Sequence, residues 1–180
     1  AEDSQALAEV LEGAEAVVHL AAHLPHGTEE EQLPGTAEAV STNVGAVLLA
    51  LRMARLAGAR SFVHISSLSV FASYGFTPIP AGARPDATEI YGLSKRLAEH
   101  ALRIAVEEEA PTAQEGPITV TSLRLAYPTT AEDWPRWRSP VVPEAEPDMI
   151  RMEDGTAHVA LHPEDLAAAV RAAVDRERGG

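Results

Sequence analysis

The chain has 180 residues, 46% of them hydrophobic, which suits one domain with a buried core. Its 14 Lys and Arg against 27 Asp and Glu leave a formal charge of −13. That balance argues against nucleic acid and against an anionic membrane surface as partners, since both reward a basic face. With no cysteine, a disulfide framework and a thiolate metal site are excluded.

Asp3 or Ser4 can cap a first helix in which Leu7, Val10 and Leu11 recur at helical spacing, and Gly13 ends it. The apolar run Ala16 to Ala22 reads as a buried parallel strand. HLPHGTEEEQLPGT is polar and punctuated by Pro and Gly, hence a loop, with Glu29, Glu30 and Glu31 solvated. A long Ala- and Leu-rich helix follows from about Thr36 to Leu56, with Arg52 and Arg55 late and Gly58 closing it. RSFVHISSLSVF is a second buried strand with Ser66, Ser67 and Ser69 at its C-terminal end. A proline-rich loop, Thr77 to Pro85, leads to a helix that carries EIYGLSKRLAEH and runs to about Glu107. ITVTSLRLAY is a third strand, the segment from there to Pro147 reads as irregular, and HPEDLAAAVRAAVDRE is a last helix with Pro163 in its first turn. No apolar run reads as long enough to span a bilayer, and AEDSQALAEV lacks the basic and apolar regions of a signal peptide. A cytoplasmic protein is expected.

Helices alternating with strands predict an α/β fold, a doubly wound parallel sheet with helices on both faces. Ligands of such sheets bind beyond the C-terminal ends of the strands. That edge collects His19 to Ala22, Ser66 to Ser69 and Tyr127 to Thr129, and the loop before Tyr91 leaves from it. Tyr91 and Lys95 stand four apart at a helix start, so they share one face. A free tyrosine, with a pKa near 10, is a poor base at neutral pH. A neighbouring ammonium favours the phenolate, and a serine hydroxyl can hold a substrate oxygen whose charge changes. The set suits proton transfer during hydride transfer at a hydroxyl or carbonyl carbon. Taken alone, each residue also has an ordinary reading. Tyr91 and Lys95 can be surface residues, the serines can satisfy strand-end backbone (the favoured reading for Ser66), and His19 can be structural. Trp134 and Trp137 can line a pocket or anchor the irregular segment. The histidines His23, His26 and His64 show no metal spacing, and no metal is expected.

The stretches LEGAEAVVHLAA, TNVGAVLLALRMARLAGARSFVHISSLSVF, YGLSK, ITVTSLRLAYP and LHPEDLAAAV, in this order, resemble the extended short-chain dehydrogenase/reductase family, the NAD-dependent epimerase/dehydratase group. The resemblance implies Ser67 as the catalytic hydroxyl, Ser69 as a substrate contact and Tyr91 as the acid/base. Lys95 would lower the Tyr91 pKa and hold the nicotinamide ribose. His19, Leu20, Ala21 and Ala22 resemble the turn beneath the cofactor, Tyr127 and Pro128 the loop beside the nicotinamide, and Asn43 a helix asparagine that supports the site's backbone. NAD or NADP is the implied cofactor, and a small-molecule substrate, with a sugar-derived one among the candidates, the implied partner.

The sequence departs from the family in two places. It has no Gly-x-x-Gly-x-x-Gly turn to hold a pyrophosphate, and YPTTAEDWPRWR replaces the usual Gly-Pro signature. The expected architecture is therefore a Rossmann-like doubly wound parallel sheet, N-terminally truncated, with a much reduced C-terminal substrate region. Residues 1–127 would form the partial dinucleotide-binding part and 128–180 the substrate-side part. Three core strands leave an apolar edge, for which either further residues or a homodimer is the expected cover. The competing expectation is a non-catalytic cofactor sensor or interaction protein that keeps the scaffold.

Overall fold

The computed structural model describes residues 4–25, 30, 33–74, 78–107, 117–152 and 155–176. Asp3 as a cap, loop positions 26–29, 31 and 32, Thr77 and Glu177 lie outside the described residues. In chain order the elements are α1 (Ser4–Leu11), β1 (Ala16–His19), a 3-10 turn (Leu33–Gly35), α2 (Thr36–Val40), a π-helical segment (Ser41–Ala46) and α3 (Val47–Leu56). Then come β2 (Ser61–Ser67), a second 3-10 turn (Leu68–Val70), α4 (Ile90–Glu107), β3 (Thr119–Leu125), β4 (Ile150–Arg151), β5 (Ala157–His158) and α5 (Pro163–Val174).

β1, β2 and β3 form one parallel sheet in that order, with His19 beside His64 and Ser67 beside Leu125. As the central strand, β2 is buried at Ser61, Phe62, Val63, His64 and Ser66, which is why its sequence reads as a nearly unbroken buried run. On one face, Val47, Ala50, Leu51 and Ala54 of α3 and Leu102 of α4 close over Phe62 and Ile118. Each fully buried Leu or Phe there contributes on the order of 1.5–3 kcal/mol. Buried Arg55 joins the two helices, its guanidinium donating to the Ala105 carbonyl at 2.7 Å. α3 stops where expected, since Gly58 takes a φ of +80° just past the cap. α5 packs against β2 and β3. It starts at Pro163, with the His162 ring nitrogen accepting from the Glu164 amide and two carboxylates at its positive end.

The structure corrects two sequence expectations and adds one element. The first strand ends at His19 rather than Ala22 because the chain is pulled off the sheet: Asn43 bonds both the amide and the carbonyl of His23, each at 2.8 Å. Leu33–Leu56 is a single helical run of 24 residues, long and apolar enough by length and composition to cross a membrane. The helix itself is expected from about Thr36; Glu38, Ser41, Thr42 and Asn43 interrupt its apolar run while the helix continues through them, and its buried stripe is part of the core above. Past the segment expected to be irregular, the added element is a small antiparallel pair, β4 with β5. Two residues per strand are too few for a period-2 pattern to show.

Candidate active site

Two local structures meet at the C-terminal edge of the sheet. As β2 ends, the Ser67 hydroxyl accepts from the Ser69 amide and donates to the Ser69 hydroxyl, both at 3.1 Å, which winds the chain into the 3-10 turn. α4 then starts against that turn. The Glu89 carboxylate caps it, accepting from the Tyr91 amide at 2.9 Å and from the Gly92 amide. Gly92 is the point of closest approach: a Cβ there would overlap the Ser69 carbonyl oxygen, the Glu89 carboxylate and the Ala87 methyl.

A cavity of about 390 Å³ opens at this junction. It brings together Ser67, Ser69, Tyr91, Tyr127 and Pro128, five of the residues expected from the sequence. Tyr74, Trp137 and Arg138 complete its far wall. Of the two tryptophans, only Trp137 lines it. Trp134 is an anchor instead, with its indole N–H donating to the Ala160 carbonyl at 3.2 Å and its ring set edge-on to His162. Tyr127 holds a left-handed backbone, φ +42°, strained for a tyrosine. Its carbonyl accepts from the Leu161 amide and the next turn bonds back to Leu161, which fixes the strain in place. The phenol so presented meets the Tyr74 hydroxyl at 3.2 Å, and burial beside that partner pushes its pKa up to about 12. Asp133 holds Arg138 through two hydrogen bonds, so the guanidinium forms a fixed rim. A second groove of about 410 Å³, between α3 and α4, is lined by aliphatic side chains and two arginines and offers no acid/base group.

Lys95 and Asn43 lie behind this cavity, and neither lines it. Lys95, the only lysine in the sequence, is 2% exposed and donates to the Ile65 carbonyl at 2.8 Å. An ammonium has three donors, of which this bond engages one. Burial pulls its pKa down to about 8, opposed by the Glu99 carboxylate. His64 and His19 share its sheet face, and no protein partner reaches either ring nitrogen of His64 or Nδ1 of His19. Burial, then the Lys95 charge, lowers both, His64 to about 3, so both rings are neutral. Leu20, Ala21 and Ala22 stand exposed just past β1, as a turn under a ligand would.

Asn43 is fully buried in the π-helical segment, a distortion that recurs at functional sites. Besides holding His23, it donates to the Ser94 hydroxyl at 2.8 Å, which donates to the Tyr91 carbonyl at 2.7 Å. The β1 exit and the start of α4 are thus tied by one side chain. Ser66 satisfies no strand-end backbone, contrary to expectation; its hydroxyl donates to Glu99 at 2.7 Å, because α4 brings a carboxylate to it.

One electrostatic expectation is overturned. The Tyr91 phenol is raised above its ordinary value, not lowered. Burial is the main cause and Glu89 adds to it, whereas only the Ser67 hydroxyl pulls the other way. Sequence reasoning also passed over Glu89, Gly92, Ser94 and Glu99, although all four sit within or beside YGLSK and only their helical spacing marked them.

The family model for the NAD dependent epimerase/dehydratase family matches residues 1–180. No curated protein matches the chain. Among solved structures, a short-chain dehydrogenase/reductase superfamily protein from Agrobacterium tumefaciens with bound NAD is 22% identical, TM-score 0.73, over 98% of this chain and 60% of that one. MoeE5 in complex with UDP-glucuronic acid and NAD is 24% identical, TM-score 0.70, over 98% and 57%. The Bordetella bronchiseptica enzyme WbmG in complex with NAD is 23% identical, TM-score 0.64, over 96% and 52%. At these identities the likeness shows the fold, and the chain spans between about half and three-fifths of each structure's length. A parallel Rossmann-like sheet in this order and a family match along its whole length lead to one conclusion: the chain belongs to the NAD-dependent epimerase/dehydratase family.

Proposed function

We propose that the chain carries the proton-transfer half of an NAD- or NADP-dependent oxidoreductase of epimerase/dehydratase type, acting on a hydroxyl or carbonyl of a sugar-type small molecule. The observation that carries this reading is the meeting of Ser67, Ser69 and Tyr91 in one cavity, with Lys95 a turn further along the same helix. The relatives crystallised with NAD and with UDP-glucuronic acid support the cofactor and substrate classes.

The residues present fit the nicotinamide half of such a cofactor. Lys95 would offer its other donors to ribose hydroxyls, and Leu20 to Ala22 leave an open apolar turn beside it. The sequence given offers no glycine-rich turn for the pyrophosphate. A bound cofactor would supply or accept the hydride at the substrate carbon. Tyr91 is a phenol at neutral pH and would give its proton to a carbonyl oxygen as charge grows there, against the burial that raises its pKa. Ser67 donates a hydrogen bond to that same oxygen. The Lys95 ammonium, charged below about pH 8, sits a turn further along the same helix and would add positive charge on the side of the phenolate that results. In the oxidising direction the proton returns to Tyr91 from the substrate hydroxyl. The aromatic wall of Tyr74, Tyr127 and Trp137 suits the apolar face of a pyranose ring. Pairing of two copies along an outer strand, β1 or β3, belongs to the same reading.

Tyr91→Phe tests it. Turnover is expected to fall by at least about 100-fold, the scale of general acid catalysis, while cofactor affinity by calorimetry stays within about twofold. Wild-type-like turnover in the variant overturns the assignment. The second reading, a scaffold that binds cofactor without chemistry, draws on the raised Tyr91 phenol. Cofactor binding by the wild-type protein without turnover on any sugar nucleotide would favour it.

A further inference from the structure

Glu99 lies one helical turn beyond Lys95, on the same face of α4, with its side chain 11% exposed. Two neighbouring strands reach it, and the arginine of one is itself held from two further sides. The Ser66 hydroxyl of β2 donates to Oε1 at 2.7 Å. Arg124 of β3, the register partner of Ser66, donates from Nε to both carboxylate oxygens at 3.0 and 3.3 Å and from Nη2 to Oε2 at 2.8 Å. The same guanidinium reaches back to the Ala83 carbonyl at 3.2 Å, in the loop before α4, and lies 5.0 Å over the Phe71 ring. Such a fork pairs two planar groups and fixes both.

The sequence of fastenings along β2 is telling. Lys95 grips the carbonyl of Ile65 and Glu99 grips the hydroxyl of Ser66. The next residue is Ser67. Two consecutive attachments from α4 therefore end where the substrate-facing hydroxyl begins, and α4 also carries Tyr91. We propose that Glu99 is a positioning residue: held by Ser66 and Arg124, its carboxylate fixes the end of β2 against α4 and so sets where Ser67 stands relative to Tyr91 and Lys95. The proposal rests on the Ser-Tyr-Lys reading above.

The charge of Glu99 has a second consequence. Among the described residues, the titratable groups facing Lys95 are His19 from β1, His64 from β2, Arg124 from β3 beyond the carboxylate, and Glu99 and Tyr91 on its own helix. The histidines are neutral and Arg124 is cationic, so Glu99 is the one group that opposes the effect of burial on Lys95.

Because the chain has a single lysine, protein labelled with isotopic lysine gives one side-chain signal, and its pH titration reads Lys95 directly. Glu99→Gln keeps the size and removes the charge; the Lys95 midpoint is expected to fall by about one pH unit. Glu99→Asp keeps the charge, and the midpoint is expected to stay near the wild-type value. A wild-type midpoint in folded Glu99→Gln overturns the proposal. Should that variant fail to fold, Ser66→Ala leaves the Glu99–Arg124 pair in place. It is expected to keep the midpoint yet speed amide exchange at Ser67 and Ser69 about fivefold or more; unchanged protection there also overturns the proposal. Cofactor binding measured on the same preparations separates the two ideas. A shifted Lys95 midpoint in a protein that binds no cofactor retires the Ser-Tyr-Lys reading and leaves the role of Glu99 in the scaffold.

Discussion

Gly92 and His64 show how single residues carry the constraints of this site. At Gly92, helix propensity favours alanine by about 1 kcal/mol. Against that stands overlap with the Ser69 carbonyl, a backbone atom that cannot swing aside. Overpacking typically costs about 1–3 kcal/mol, so overlap prevails. Gly92→Ala is expected to destabilise the fold by about 1–2 kcal/mol in urea titration and to push α4 off the serine turn; a gain in stability would contradict the close contact. His64 makes a different point. Its ring is fully buried, finds no protein partner and is held near pKa 3. The unfolded chain takes up a proton near pH 6.5 that the folded chain refuses, so stability is present above that pH and is lost as pH falls from about 6.5 toward 3. In melting curves across that window, His64→Gln is expected to flatten the acid limb relative to wild type. An identical acid limb in the variant would show that His64 takes its proton in the folded state.

At the scale of elements, the site is built where three segments end: β1, β2 and the first turn of α4. Asn43 joins the first to the third. Asn43→Ala strips the partners from both backbone groups of His23 and from the Ser94 hydroxyl. Leaving a buried polar group unpaired costs about 1–3 kcal/mol. The loss of thermal stability should be of that order, with faster amide exchange from Leu20 to His23 in particular; a uniform change across the sheet would contradict a local tie. Much of this level was legible in the sequence. VVHLAA, SSLS and YGLSK each mark a strand end or helix start, and Gly58 and Pro163 bound their helices through backbone geometry that a sequence states directly. What was not legible depends on tertiary approach. The break after His19 is made by Asn43, 20 residues beyond the His23 it holds, the role of Glu99 needs β2 and β3 in register, and the raised Tyr91 phenol follows from burial and a cap at Glu89. No local pattern encodes the depth at which a phenol will sit.

For the whole molecule, the three-stranded sheet brings Ser67, Ser69 and Tyr91 to one cavity, while α3, α4 and Phe62 form the apolar core. The segment after β3 closes the cavity through Tyr127, Trp137 and Arg138, and its return to Leu161 ties it to the start of α5. The charge of −13 keeps the surface acidic, while the single lysine, the cation of the proposed site, is buried. Since that cation is the only lysine, its resonance reports on the site without interference. The decisive measurement is a titration of lysine-labelled protein with NAD and with NADP. Contact between the cofactor ribose and Lys95 should shift the single lysine signal saturably with one of the two, and Tyr91→Phe should leave that shift in place. A lysine signal that stays unmoved at millimolar concentrations of both would contradict a nicotinamide site at Tyr91 and Lys95.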